Sequence, residues 1–204
     1  MAEPLGLLSA VLAFAVVAAS PGPANLAAAG VAIAAGRVRA MRFALGLALG
    51  LFFWGVLAAL GMGAILQSTG WALTGLKVAG GFYLLWLALQ SLRAARGTDT
   101  TIAARRAPRR LFWSGLMLNL SNPKAVFAWM ATLSLGMGGA GQGYLLLTVL
   151  CGLIGLINYI GWVTFFSTGV MMRAYLRGRR WIEATVGLLL GAAGVSLLRS
   201  SATQ

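Results

Sequence analysis

The chain has 204 residues, with one Cys, no His, 16 Lys and Arg, and only 3 Asp and Glu. It is 60% apolar and 9% charged; a soluble domain carries about 25% charged residues, so this chain cannot cover an ordinary water-facing surface, and it is too apolar for disorder. One Cys excludes an internal disulfide and a CxxC pair, and the lack of His removes His-based triads and the commonest metal ligand.

Charge-free runs occupy residues 4–36, 43–76 and 125–172, with shorter ones at 78–92, 111–123 and 184–198. About 20 apolar residues cross a bilayer. The pattern predicts an all-α integral membrane protein, one transmembrane domain over residues 1–204. Its six transmembrane helices fall near 5–35, 43–66, 71–92, 111–136, 144–168 and 181–198. Ala18-Ala19-Ser20 resembles a signal cleavage site, but the N-terminus offers Glu3 instead of a basic region, so the first segment is read as a span.

The first span is interrupted. Ser20-Pro21-Gly22-Pro23 places two Pro and a Gly within three residues, and Pro removes a backbone donor and clashes with the preceding turn. A straight helix over 5–35 would also reach about 46 Å, against a hydrocarbon core of about 30 Å. A broken or re-entrant first element meets both problems.

Between spans 1 and 2 the sequence predicts a loop carrying Arg37, Arg39 and Arg42. A second Arg-rich loop, 93–110, separates spans 3 and 4, and a third carries Arg173, Arg177, Arg179 and Arg180. These loops hold 13 of the 16 basic residues. With six spans they all fall on one side, which the positive-inside rule makes cytoplasmic; both termini then face outward. The net charge of +13 is thus a topology signal, with some contact to anionic lipid. No nucleic acid partner is expected, because short loops at a membrane offer no groove-reading element.

Span 4 carries the second break, Asn119-Leu120-Ser121-Asn122-Pro123-Lys124. A Lys inside a span costs about 2.5–3.5 kcal/mol on insertion scales and usually faces a cavity or a partner. The bland alternative is a packing kink with Lys124 snorkelling to an interface, but the residue lies deep for that. The Gly-rich stretch 136–143 then turns the chain into span 5, which carries Asn158. Glu183 is expected at the cytoplasmic edge of span 6.

The two breaks lie about 100 residues apart, and Gly75-Leu76-Lys77-Val78-Ala79-Gly80-Gly81 resembles Trp181-Ile182-Glu183-Ala184-Thr185-Val186-Gly187. Each half, approximately 1–95 and 108–204, reads as three spans with a broken first one. Three is odd, so the halves are inverted, as in many secondary transporters. Inversion puts Lys77 and Glu183 in opposite leaflets and argues against a direct salt bridge. Gly46 with Gly50, and Gly187 with Gly191 and Gly194, form small-residue seams for packing within the chain, or for a homodimer. Trp71, Trp86, Trp113, Trp162 and Trp181 are read as interface anchors or lipid-facing side chains, and Cys151 as a small apolar residue.

These features predict a binding site between the breaks. Pro21, Gly22, Pro23 and Pro123 shape it; helices restarting after the prolines and the Lys124 ammonium attract a carboxylate. Amide oxygens of Asn25, Asn119, Asn122 and Asn158, with carbonyls freed by the prolines, are candidate acceptors for an ammonium. With no acid deep in a span, a net-neutral ligand is favoured over a basic one. No cofactor, metal site or catalytic residue is expected: the chain lacks the Asp pair, Ser–His pair or metal motif that hydrolysis in a membrane needs.

Three stretches resemble the LysE/RhtB family of amino-acid exporters. They are Ser20-Pro21-Gly22-Pro23-Ala24-Asn25 with Gly36-Arg37, Leu76-Lys77-Val78-Ala79-Gly80-Gly81 with Phe82-Tyr83-Leu84-Leu85-Trp86-Leu87, and Phe112-x-x-Gly115 leading into Asn122-Pro123-Lys124. The resemblance covers essentially the whole chain. It implies a multi-pass exporter of amino acids or close derivatives in a bacterial inner membrane, driven by proton motive force, and makes the ligand between the breaks a zwitterion, a net-neutral amino acid here for want of a deep acid. Family members often carry an Asp in span 5 where this chain has Asn158, so the coupling ion does not transfer with the substrate class. Export of metal cations or other small ions, known among distant relatives of that family, and a non-transporting scaffold are the alternatives.

Overall fold

The computed structural model describes residues 4–68, 70–97, 107–135 and 142–202. The Gly-rich turn falls mostly outside them, as do the side chains of Trp71 and Lys77. The described residues form eight α-helices and no strand.

The first hydrophobic segment is two helices, α1 (Pro4–Ala19) and α2 (Pro23–Ala35), bent by 49° at the break. Pro23 opens α2, where its missing N–H is no loss. Gly36 ends α2 with φ +79°, a conformation that glycine adopts without a Cβ penalty.

Helix α3 (Arg37–Ser68) starts at once. No loop separates the first two segments beyond Gly36, so Arg37, Arg39 and Arg42 occupy the first turns of α3. The third segment is α4 (Gly70–Arg96), with Arg93 and Arg96 in its last turn. Span 4 is α5 (Leu111–Leu120) and α6 (Pro123–Leu135), separated at Ser121 and Asn122. Then come α7 (Gln142–Phe166) and α8 (Gly169–Ala202). The expected third Arg-rich loop is likewise helical: Arg173, Arg177, Arg179 and Arg180 lie within α8. Arginine is a good helix former, so the hydropathy boundary and the hydrogen-bonding boundary part company. Glu183 lies within α8 as well.

Among the described residues, three helical stretches are long and apolar enough to cross a membrane: Arg37–Gly61, Tyr144–Phe166 and Arg173–Arg199. The bent α1–α2 pair makes a fourth. Phe53, Leu60, Leu153 and Leu188 on their outer faces are exposed, as hydrocarbon-facing side chains are. Trp86, Trp113 and Trp181 are exposed too, whereas Trp162 stacks on Phe166 with ring centroids 4.6 Å apart. Cys151 is fully buried.

Two glycine seams set the packing. Gly46 meets Phe112, Gly50 meets Leu116 and Trp54 meets Leu120, so α3 and α5 run parallel. A Cβ on Gly46 would run into the Phe112 carbonyl, and one on Gly115 into the Phe43 carbonyl. Helices α4 and α8 run antiparallel: Gly80 meets Leu197 near one end, and Gly187 meets Leu92 near the other. A Cβ on Gly81 or Gly187 would lie 2.7 Å from a leucine side chain. Both seams are therefore filled by helices of the same chain, and neither is a homodimer surface. Trp129, fully buried against Phe14 at 4.7 Å, fills the centre between α1, α3 and α6.

Replacing Gly115 by Val will force α3 and α5 apart and destabilise the protein by about 1–3 kcal/mol. Gly61→Ala, where an added Cβ meets nothing within 4 Å, will be neutral. Melting of the two purified variants in detergent compares them.

Candidate functional site

The site grows from groups left unpaired by the two breaks. Where prolines end a helix inside an apolar environment, backbone carbonyls lose their partners, and each unsatisfied group costs several kcal/mol in hydrocarbon. At the first break, the Asn25 amide donates to the carbonyls of Ala18 at 2.7 Å and Ser20 at 3.0 Å. Asn25 is buried, and its own side-chain oxygen accepts a 2.9 Å bond from Asn158 on α7.

At the second break, Asn122 caps α6: its side-chain oxygen accepts the Lys124 backbone N–H at 3.1 Å, the usual role of Asn at a helix start. Its amide donates to Asn119 Oδ1 at 3.2 Å. Asn119 is fully buried and donates to the Leu47 carbonyl at 2.6 Å and to the Tyr159 hydroxyl at 3.0 Å. Trp54 donates to the Leu120 carbonyl at 3.2 Å, and Trp129 to the Leu51 carbonyl at 2.8 Å.

Lys124 joins the two breaks. Its Nζ donates to the Ser20 carbonyl at 2.8 Å and to the Ser20 hydroxyl. Gly22 makes room for it: a Cβ there would lie 3.0 Å from Nζ. Beside this junction opens a cavity of about 320 Å³. Pro21, Gly22, Pro23, Asn122, Pro123 and Lys124 line one wall. Asn25 and Asn119 hold the breaks from behind, and Asn158 supports Asn25 from α7; none of these three lines that cavity. A second cavity, about 530 Å³, lies across the breaks, with Pro23, Asn122 and Pro123 in its wall. The nine residues nominated from sequence thus surround one junction. The side-chain oxygens of Asn25, Asn119 and Asn122 are already engaged there.

Sequence reasoning missed the opposite wall. Tyr83, Gln90 and Ser91 from α4, with Arg179 and Glu183 from α8, face Lys124 across the cavity. Glu183 is 4% exposed. Its Oε1 lies 3.8 Å from Arg179 Nε, and Ser91 lines the same wall. That Ser91 and Glu183 share a wall follows from the antiparallel α4–α8 register, which the similarity between the two halves could have suggested. Among the described residues, no three His, Cys, Asp or Glu side chains come together as a metal-binding group.

A helical membrane protein with two broken elements meeting at a cavity describes a class of transporters. The sequence pattern of the LysE type translocator family matches residues 15–201. The chain belongs to that family. It is 32% identical over 197 residues to a threonine efflux protein of Salmonella typhi, covering 89% of this chain and 91% of the relative. The threonine efflux protein of Escherichia coli K12 is 32% identical over 195 residues, with the same coverage. A homoserine/homoserine lactone efflux protein of Salmonella typhimurium is 39% identical over 82 residues, 40% of each chain. No solved structure matches the chain.

Asn119→Leu keeps the volume and removes three hydrogen bonds between α3, α5, α7 and the second break. It will destabilise the protein by about 1–3 kcal/mol. Trp54→Phe, losing one bond, will cost about 1 kcal/mol. Thermal unfolding in detergent measures both.

Proposed function

We propose that this protein exports amino acids or close derivatives from the cytoplasm by alternating access, with net-neutral amino acids as its main cargo. The observation that carries the reading is the meeting of two intramembrane helix breaks at Lys124, beside a cavity. The substrate carboxylate takes the Lys124 ammonium, with the N-terminal ends of α2 and α6 adding positive potential. Pro21, Gly22, Pro23, Asn122 and Pro123 shape the contact, while Asn25, Asn119 and Asn158 keep the breaks open. The names of the relatives, threonine and homoserine efflux proteins, support small polar amino acids as cargo.

The architecture proposed for this cycle is six spans in two inverted halves. The packing supports it: α1 lies on α7 as α5 lies on α3, and α2 touches α7 as α6 touches α3. The third helices, α4 and α8, pair antiparallel, as an inverted repeat requires. The cavity opens beside Ala94 and Arg179, near the Arg-rich ends of α4 and α8. With those ends cytoplasmic, this is the inward-facing state, in a bacterial inner membrane with both termini outside. Rocking one half against the other exposes the site to the far side.

Cells expressing the protein and loaded with threonine-containing dipeptides will release threonine faster than cells without it. No change in any extracellular amino acid would overturn the reading. Lys124→Ala, at wild-type protein level, will cut export by about tenfold or more, the loss of one charge-assisted contact. Full export by that variant would remove Lys124 from the mechanism.

A further inference from the structure

The proposed site has a place for a carboxylate and lacks an evident one for an ammonium. Of the four nominated amides, Asn25, Asn119 and Asn158 do not line the cavity, and the one that does, Asn122, already turns its oxygen to the backbone N–H of Lys124. The Ser20 carbonyl already accepts from both Lys124 and Asn25. An amino acid bound there would leave its own cation unpaired in a site that sheds water, which is costly.

Glu183 resolves this. It lines the same cavity as Lys124, on the α8 side. Ser91 on α4 lines the cavity on the same side. Arg179, one turn back on α8, approaches at 3.8 Å, which is beyond hydrogen-bond range. An ionised carboxylate accepts about four hydrogen bonds, so acceptor positions stay open toward the cavity.

We propose that Glu183 receives the ammonium group of the transported amino acid while Lys124 receives its carboxylate. The proposal rests on the export reading above. It assigns the carboxylate to Lys124 on α6 and the ammonium to Glu183 on α8, both in the second half, with Arg179 beside Glu183 and α4 of the first half completing the wall. Closure of the cavity around the substrate then draws α8 toward the breaks.

Three probes separate the poles: threonine, 2,3-dihydroxybutanoate, which has a hydroxyl in place of the ammonium, and threonine amide, which lacks the carboxylate. Binding is measured on the purified full chain in detergent. Glu183→Gln will weaken threonine by about tenfold or more and leave 2,3-dihydroxybutanoate within about twofold of wild type. Lys124→Ala will weaken 2,3-dihydroxybutanoate and spare threonine amide. Equal weakening of threonine and 2,3-dihydroxybutanoate by Glu183→Gln would assign Glu183 to the fold and overturn the proposal; unchanged threonine binding would also overturn it. Should Glu183→Gln not fold, Glu183→Asp decides by the same comparison, because shortening the side chain moves the charge away from the ammonium alone. A wild-type protein that neither binds nor exports an amino acid defeats the export reading itself, and this proposal with it. A wild type that exports, with Glu183 variants indifferent to the ammonium, defeats only the second.

Discussion

A backbone carbonyl in hydrocarbon must find a donor, and a proline inside a membrane segment takes one away. This chain breaks two of its helices in that manner, at Ser20–Gly22 and at Ser121–Asn122. Instead of leaving each break to water, the fold turns one toward the other. The ammonium of Lys124 satisfies the Ser20 carbonyl, Asn25 satisfies Ala18, and Trp54 satisfies Leu120. The two interruptions are tolerable because they are neighbours.

Close helix approach makes that arrangement reachable. Asn119 reaches the Leu47 carbonyl because glycines at 46, 50 and 115 let α3 and α5 run nearly backbone to backbone. A side chain at any of those positions would move the donor away from its acceptor. The antiparallel α4–α8 seam performs the same service on the other wall, where it brings Ser91 and Glu183 to one side of the cavity. Packing and site are thus one problem, solved by the same glycines.

Much of this was legible in the amino-acid order. The prolines and polar residues at 20–25 and 119–124 announced the breaks, since such residues have no other reason to interrupt apolar runs. The charge gaps located the long helices. The helix ends were less legible: Arg was read as loop in the segments around 37–42 and 173–180, yet it continues a helix readily. That reading also hid the burial of Glu183, which lies in α8 well past its start at Gly169. Periodicity also cannot say which side of a broken helix faces which neighbour. Asn119 and Asn122, three residues apart, therefore looked alike as acceptors, although one is sealed among helices and the other borders a cavity. Trp129, the largest fully buried side chain, drew no notice, because an apolar aromatic in an apolar run carries no sequence signal of depth.

Lys124 is never idle. It holds the Ser20 hydroxyl and carbonyl, groups of the same kind as the anion it is proposed to carry. An ammonium has three N–H donors, so a carboxylate takes the third or replaces a Ser20 contact, and where it replaces one, binding yields only the difference between two similar interactions. Such a resident competitor keeps affinity modest and makes occupancy track internal concentration. A cell at ordinary amino-acid levels would lose little through this protein, and one with an excess would find the exit open. It also leaves the ammonium with a partner at every stage, so the carrier can return empty without exposing a bare charge to the membrane interior.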